Sequence, residues 1–183
     1  MLKNKNSHFN IANLFTFGNI TMGTIALLLI LNEQYIWTCV FAWLGGFLDI
    51  FDGKMARKYN LSTEFGVQLD SYADLLTFVI VPILLVYNSI LNVETNIFSY
   101  TIICIVLVYY VISGIRRLIT FNLKANVGEV EKYFEGFPTP LGAICLFIIF
   151  VLNQFIEINI YIDLLLISIV AYMLNSKVKV KHP

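Results

Sequence analysis

The chain has 183 residues, of which 58% are hydrophobic and only 13% are charged, and its formal net charge is +0. Soluble domains carry about 25% charged residues, so this composition excludes an ordinary soluble protein and indicates a chain embedded in lipid. A net charge of zero gives no electrostatic basis for binding nucleic acid, so no nucleic-acid partner is expected.

Long stretches without charged residues predict helices that cross a membrane. Such a helix needs roughly 20 mostly apolar residues. Asp, Glu, Lys and Arg are absent from residues 6–32, 75–93, 95–115 and 136–156. Two further apolar stretches are interrupted, one by Asp49 and Asp52 and the other by Asp163. We therefore predict an all-α bundle of six transmembrane helices, at about 12–31, 35–53, 68–88, 97–116, 138–153 and 157–175.

The basic residues predict the orientation of these helices. All 12 Lys and Arg residues fall in the two tails or in the second and fourth connections between the predicted spans. Because basic residues concentrate on the cytoplasmic side, we expect both termini on that side of the cytoplasmic (plasma) membrane. We expect no cleavable signal peptide, and no Pro- or Ser-rich linker divides the chain. A single integral-membrane domain over residues 1–183 is therefore predicted.

Four aspartates near the second connection give the strongest chemical signal in the sequence. Asp49 and Asp52 are three residues apart, and Asp70 and Asp74 are four apart, so each pair shares one face of its helix. The two helices are predicted to run antiparallel, which lets the four carboxylates converge at the inner membrane edge. Carboxylates in one place repel one another unless cations neutralise them, and their oxygens suit Mg²⁺ or Mn²⁺. We therefore predict a site for two divalent ions.

Small and basic residues accompany the carboxylates. Gly53, Ala56 and Gly66 leave room for a ligand to approach the backbone. Arg57 lies one turn from Gly53, where it can meet phosphate oxygens. The alternative is that the aspartates are interfacial charges that merely end two helices. Four of them at same-face spacing favour a functional site, because ionisable groups near the hydrocarbon edge are costly.

The same residues resemble a known signature. The pattern D-x2-D-G-x2-A-R-x8-G-x3-D-x3-D is met at every fixed position between residues 49 and 74, and it is similar to the signature of the CDP-alcohol phosphotransferases. The resemblance implies a six-helix enzyme with a two-metal site facing the cytoplasm, and a homodimer. It implies that Asp74 is the general base and also surrounds the metals with the other three aspartates. The residues that it assigns to contacts with the CDP group are Gly53, Ala56, Arg57 and Gly66.

Three further segments resemble those of the membrane-bound phosphatidylserine synthases of bacteria, a branch of that family. They are NLFTFGN at 13–19, GIRRLITFN at 114–122 and FEGFPTP at 134–140. The resemblance implies CDP-diacylglycerol as donor, L-serine as acceptor and CMP as product. It assigns Asn13 and Thr16 to CDP binding, and it assigns Arg117 and Asn122 to serine or phosphate binding. The departures from the pattern, in the region expected to set alcohol selectivity, are Arg116 and Glu135.

Other functions are compatible with parts of this pattern. Within the family, Arg116, Arg117 and Lys124 could hold a phosphorylated acceptor such as glycerol 3-phosphate or an inositol phosphate. Choline as acceptor or an ether-lipid donor would leave the metal motif unchanged. Outside the family, the carboxylates could form the ion path of a cation carrier. A carrier predicts charged groups near the midplane and often an inverted repeat, whereas these aspartates lie at one edge and no repeat is recognisable.

Overall fold

A computed structural model describes residues 10–93, 96–124, 133–135, 137–176 and 179–181. Most of these residues are helical, and the helices follow one another in chain order. They are α1 (Ile11–Leu31), α2 (Tyr35–Lys58), α3 (Glu64–Asp74), a π-helical segment (Leu75–Ile80), α4 (Val81–Ser89), α5 (Ile97–Lys124), α6 (Thr139–Phe155) and α7 (Ile160–Leu174). A 3₁₀ turn, Leu91–Val93, follows α4. Because α3, the π-helical segment and α4 form one continuous span, the predicted all-α bundle of six spans is confirmed.

The spans differ in length. Among the residues that the structure describes, four helices are long and apolar enough to cross a membrane, namely α1, α2, the continuous span Glu64–Ser89 and most of α5. The apolar helices α6 and α7 are shorter, with 17 and 15 residues. The chain is a multi-pass membrane protein. Helices α2 and α5 continue past their predicted ends at residues 53 and 116, because hydropathy marks only the apolar part of a helix and not its charged last turns.

A tight turn sets α3 antiparallel to α2. Asn60 has a positive φ of 52°, a left-handed conformation that often ends a helix. The backbone N–H of Leu61 then donates to the carbonyl of Ala56 at 2.8 Å, and the Leu61 side chain is buried. Helix α3 begins three residues later, where the Thr63 hydroxyl accepts a 3.0 Å hydrogen bond from the Gly66 backbone. The two helices that carry the aspartates therefore meet at one end of the bundle.

The π-helical segment lies in the middle of the bundle. It contacts α1, α2, α5 and α6, and it buries Thr77, Phe78 and Val79. Helix α5 approaches it closely at Gly114, where a Cβ atom would lie only 2.8 Å from the Val79 side chain. At the other end of the bundle, the Tyr35 hydroxyl at the start of α2 donates to the carbonyl of Asn88 at 3.1 Å.

Two short strands lie outside the bundle. Strand β1 (Tyr133–Glu135) pairs antiparallel with β2 (Lys179–Lys181), with Phe134 opposite Val180. Neither strand was predicted from the sequence. Their pairing joins the connection between α5 and α6 to the C-terminal tail, so both lie at the same end of the bundle. Gly136 of the third resembling segment, and most of the basic residues of the two tails, lie outside the described residues.

Candidate active site

Three of the four predicted carboxylates converge. Asp49 on α2 and Asp70 and Asp74 on α3 each offer an oxygen atom, and these atoms lie within 4.8 Å of one another. The antiparallel turn brings the two helices together, and the four-residue spacing on α3 directs Asp70 and Asp74 to the same side. The predicted convergence of carboxylates from adjacent helices is therefore present for these three residues, which we call the aspartate cluster.

The aspartate cluster fits a divalent cation. The Oδ1 atom of Asp74 is buried and has no hydrogen-bond partner among the described residues. The Asp74 and Asp49 carboxyl groups are near enough to interact directly. Buried like charges at this separation repel strongly, and a bound cation would offset the repulsion. Oxygen-only ligands of this kind suit Mg²⁺ or Mn²⁺ rather than metals that prefer nitrogen or sulfur.

Asp52 stands beside the aspartate cluster and not within it. Its side chain is buried, and its Oδ2 atom accepts a 2.7 Å hydrogen bond from the hydroxyl of Thr16. Helix α1 therefore holds the Asp52 carboxylate through this hydrogen bond. Thr16 was expected to bind the CDP group, and in this structure its hydroxyl is directed at a predicted metal ligand.

The other residues expected to contact the CDP group surround the same end of α2 and α3. Asn13 and Gly66 lie in close approach, since a Cβ atom at Gly66 would come within 3.0 Å of the Asn13 Oδ1 atom. The Arg57 guanidinium folds back over Gly53, so that a Cβ atom there would lie 3.4 Å from its Nη1 atom. The carbonyl of Ala56 takes part in the turn that follows α2. Gly66 and Asn13 therefore lie together at the start of α3, and Gly53, Ala56 and Arg57 lie in the last two turns of α2.

The C-terminal half of α5 also reaches α3. The Asn122 side chain donates a 2.7 Å hydrogen bond from Nδ2 to the Ser71 hydroxyl, which lies between Asp70 and Asp74 in the sequence. The Ser71 hydroxyl in turn donates to the carbonyl of Val67 at 3.0 Å. Asn122 was expected to bind serine or phosphate. In this structure one of its amide hydrogens forms a hydrogen bond that joins α5 to α3. Arg117, assigned the same role, is buried with 7% of its surface exposed.

Two buried residues near Asp49 were not among the predicted site residues. Asn19 donates from Nδ2 to the Asp49 Oδ1 atom at 3.3 Å, and Thr77 donates to the Asn19 Oδ1 atom at 2.7 Å. Asn19 belongs to the segment 13–19 that resembles the family but was given no role. Thr77 follows Asp70 at i+7 and Asp74 at i+3, a spacing that by itself points to the same helix face.

An apolar cavity of about 370 Å³ adjoins the site between α2 and α6. Asp49 and Thr77 line its inner part, and the exposed rings of Trp43 and Phe47 line its outer part. Pro140, at the start of α6, also lines it. The cavity therefore joins a carboxylate of the aspartate cluster to the lipid-facing surface of the bundle.

The comparison with known proteins agrees with this geometry. The sequence profile of the CDP-alcohol phosphatidyltransferases matches residues 9–174. The chain therefore belongs to the CDP-alcohol phosphatidyltransferase family, and the family predicted from the aspartate motif is confirmed.

Similar proteins within this family carry more specific names. The chain is 34% identical over 174 residues to a CDP-diacylglycerol–serine O-phosphatidyltransferase of Bacillus subtilis (strain 168), covering 92% of this chain and 88% of that protein. It is 27% identical over 182 residues to the protein of the same name in Helicobacter pylori (strain ATCC 700392 / 26695), covering 91% and 73%. It is also 27% identical over 173 residues to an archaetidylserine synthase of Methanothermobacter thermautotrophicus, covering 91% and 70%.

Proposed function

We propose that this protein transfers the phosphatidyl group of CDP-diacylglycerol to the hydroxyl group of L-serine, giving phosphatidylserine and CMP. The observation that carries the proposal is the aspartate cluster, with carboxylates from two helices meeting within 4.8 Å at one end of a membrane bundle. The names of the Bacillus and Helicobacter relatives, which cover most of this chain, support serine as the acceptor.

Each part of the site has a role in this reaction. Asp49, Asp52, Asp70 and Asp74 would hold two divalent ions, Mg²⁺ or Mn²⁺. Such ions neutralise the charge of the pyrophosphate and of the departing CMP. The residues proposed to bind the CDP group are Asn13, Thr16, Gly53, Ala56, Arg57 and Gly66, which lie on α1, α2 and α3.

Proton removal is the task proposed for Asp74. A serine hydroxyl is too weak an acid to ionise at neutral pH, so a base must take its proton as the oxygen attacks. The serine oxygen forms a bond to the phosphorus next to the diacylglycerol. The bond from that phosphorus to the oxygen of CMP breaks, and its electron pair leaves with CMP. The buried Oδ1 atom of Asp74, which has no partner among the described residues, supports this assignment.

The apolar cavity supports a lipid donor. A donor with two long chains must keep them in the bilayer while its pyrophosphate reaches the aspartate cluster. The cavity between α2 and α6 satisfies both conditions, because Asp49 is at one part of its wall and the exposed Trp43 and Phe47 are at another. A second apolar groove shares Trp43 and Phe47 and continues along α2 past Val40. The archaetidylserine synthase among the relatives keeps an ether-lipid donor as the alternative.

An acceptor screen tests the proposed reaction. Purified protein is incubated with CDP-diacylglycerol and Mn²⁺ or Mg²⁺, and CMP release is measured with serine, glycerol 3-phosphate, an inositol phosphate or choline. CMP should appear with serine and only when both substrates are present. If glycerol 3-phosphate or an inositol phosphate replaced serine, the family would stand and the proposed acceptor would be wrong. Repeating the assay with a CDP-activated ether lipid separates the two donors.

The proposed orientation places both termini and the aspartate cluster on the cytoplasmic side of the plasma membrane. It follows from the one-sided distribution of the 12 basic residues. A cysteine introduced in place of Asn4 should then resist impermeant thiol reagents in intact cells and react after lysis. Labelling without lysis would contradict this topology. The proposed homodimer is tested by the mass of the protein in a detergent micelle of known size.

A further inference from the structure

The hydrogen-bonded chain formed by Thr77, Asn19 and Asp49 links three spans at the aspartate cluster. Thr77 in the π-helical segment donates to the Asn19 Oδ1 atom at 2.7 Å, and Asn19 on α1 donates to the Asp49 Oδ1 atom at 3.3 Å. Thr77 and Asn19 are 1% and 0% exposed, so both side chains make these hydrogen bonds away from bulk water. Each hydrogen bond in this series is donated toward the Asp49 carboxylate, first from Thr77 to Asn19 and then from Asn19 to Asp49.

The side-chain amide of Asn19 explains that direction. Its oxygen can only accept a hydrogen bond and its nitrogen can only donate. Because the Thr77 hydroxyl donates to the oxygen, the amide is held with its N–H groups turned toward Asp49. Without the hydroxyl, the amide loses the partner that fixes this orientation, and the Asp49 carboxylate loses a well-directed donor.

Close packing keeps the hydrogen-bonded side chains of Thr77, Asn19 and Asp49 in one arrangement. A Cβ atom at Gly23 would lie 2.8 Å from the Thr77 Oγ1 atom, and one at Gly45 would lie 2.9 Å from the Asn19 Oδ1 atom. Both separations are shorter than a carbon and an oxygen tolerate without a shift. The two glycines therefore let α1, α2 and the π-helical segment approach until the three polar groups are in line.

The π-helical segment supplies Thr77 to this hydrogen-bonded arrangement. It begins at Leu75, directly after Asp74, and its i→i+5 hydrogen bonds replace the usual i→i+4 pattern over six residues. Short π-helical segments occur frequently at functional sites. Here the segment carries Thr77 against Asn19 while Asp70 and Asp74 remain on the regular helix before it.

We infer that Thr77 and Asn19 are positioning residues that fix the Asp49 carboxylate for binding a divalent cation. Neither residue belongs to the aspartate cluster, and both act through Asp49. Groups that hydrogen-bond to metal ligands orient them, and losing such a group typically costs about 10–100-fold in metal affinity. The inference rests on the proposal that Asp49 is a metal ligand.

The test measures Mn²⁺ affinity directly, from the electron paramagnetic resonance signal of free Mn²⁺ in titrations of the purified protein without substrates. Thr77→Val keeps the shape and removes the hydroxyl. Because Thr77 acts through Asn19, the variant should raise the Kd for Mn²⁺ by at most the roughly 10–100-fold that losing a direct partner of a metal ligand costs. Thr77→Ser restores a hydroxyl and should return the Kd close to that of the unchanged protein. Turnover of Thr77→Val should recover at high Mn²⁺, since the defect lies in metal binding.

Thr38→Val is the matched control. Thr38 is also fully buried between α1 and α2, but its hydroxyl donates to the backbone carbonyls of Gln34 and Ala26. This variant should leave the Kd for Mn²⁺ unchanged. If Thr77→Val does not yield folded protein, Thr77→Ala removes the same hydroxyl with less bulk and is measured in its place.

Asp49→Asn distinguishes a failure of the proposed metal site from a failure of the proposed positioning role. If Asp49→Asn binds Mn²⁺ as tightly as the unchanged protein, Asp49 is not a metal ligand and the proposed metal site is wrong. If Asp49→Asn loses Mn²⁺ but Thr77→Val binds it normally, the metal site stands and the positioning role is overturned. An equal loss in Thr77→Val and Thr38→Val would reduce the effect to general packing and would also overturn it.

Discussion

Buried aspartates occur at both ends of this bundle, and the two settings differ. Asp163, in the first turn of α7, is fully buried and accepts a 3.0 Å hydrogen bond at Oδ1 from the Nδ2 atom of Asn153. The aspartate cluster at the other end brings three carboxylates within 4.8 Å of one another. Pro140 at the start of α6 lines the same cavity as Asp49, whereas Asn153 lies near the end of α6, so the length of that helix separates the two settings.

The difference shows which buried carboxylates need a cation. A single carboxylate at a helix N-terminus is stabilised by the backbone dipole and by one neutral donor. Three carboxylates with oxygen atoms within 4.8 Å of one another cannot be stabilised by neutral donors alone, because each added negative charge raises the energy of the others. We therefore interpret Asp163 as part of the packing of α6 against α7, and the aspartate cluster as a binding site.

The largest expected effect is a difference in turnover between a variant of the aspartate cluster and a variant of Asp163. Asp70→Asn should abolish measurable CMP release, because the proposed cations would supply several kcal/mol of transition-state stabilisation. Asp163→Asn, far from the reacting groups, should leave the rate of the folded protein within about a factor of two. Both variants are assayed at the same amount of folded protein and at saturating Mn²⁺. Near-normal turnover of the unchanged protein in a chelator would contradict the role of the cluster.

Asp74→Asn sharpens the comparison within the cluster. If Asp74 is chiefly the base, the variant should still bind CDP-diacylglycerol in the presence of metal while turnover falls by about 10²–10⁴. If Asp74 is chiefly a metal ligand, affinity for metal and donor should fall together with the rate. Donor binding and turnover are measured on the same preparation. Lost binding at saturating metal would contradict an assignment as base alone.

Metal-dependent stability gives a smaller effect that does not require substrate. A cation that binds only the folded protein stabilises it by about 2.7 kcal/mol at a concentration 100 times its Kd. Mn²⁺ should therefore raise the thermal unfolding midpoint of the unchanged protein and of Asp163→Asn by similar amounts. Asp49→Asn should show little or no rise. An equal rise in all three proteins would place the bound cation elsewhere.

The positions of the aspartates could be predicted from the sequence, whereas the hydrogen bonds that hold them could not. Helical periodicity fixes that residues three or four apart share a face, so Asp70 and Asp74 could be placed together from the sequence alone. Which neighbour each carboxylate meets depends on tertiary packing. Asp52 accepts a hydrogen bond from Thr16 of α1 and lies outside the cluster, and both follow from the packing of α1 against α2.

For the fold as well, some elements could be predicted from the sequence and others could not. Long apolar stretches predicted the spans because a bilayer requires helices of a minimum length. The π-helical segment Leu75–Ile80 carries no comparable signal, since its sequence is as apolar as the helix around it. The strands Tyr133–Glu135 and Lys179–Lys181 are too short to show alternation, and they pair across more than forty residues of chain. Predictions for the tails, including both termini, concern residues that lie mostly outside those described.

The smallest expected effect tests the other half of the comparison, the structural role of Asp163. Asn153 donates to the Asp163 Oδ1 atom and to the carbonyl of Ile149, both at 3.0 Å. The Oδ2 atom of Asp163 is buried and has no partner among the described residues, so Asn153 provides a donor that Asp163 would not easily replace. Asn153→Ala should therefore lower the free energy of unfolding by about 1–3 kcal/mol, the cost of leaving a buried acceptor without its partner.

Replacing both members of the pair tests whether this cost comes from the unpaired carboxyl group. The double variant Asn153→Leu with Asp163→Leu removes the donor and the acceptor together, and such exchanges for apolar groups of similar shape can be nearly neutral. It should therefore unfold at a higher temperature than Asn153→Ala, in detergent, with turnover per folded protein unchanged in both. If Asn153→Ala instead reduced Mn²⁺-dependent turnover as strongly as Asp70→Asn, the two settings would be functionally linked and Asp163 would be more than a packing residue. A carboxylate that only holds α7 against α6 predicts a loss of stability without any change in the metal dependence of the reaction.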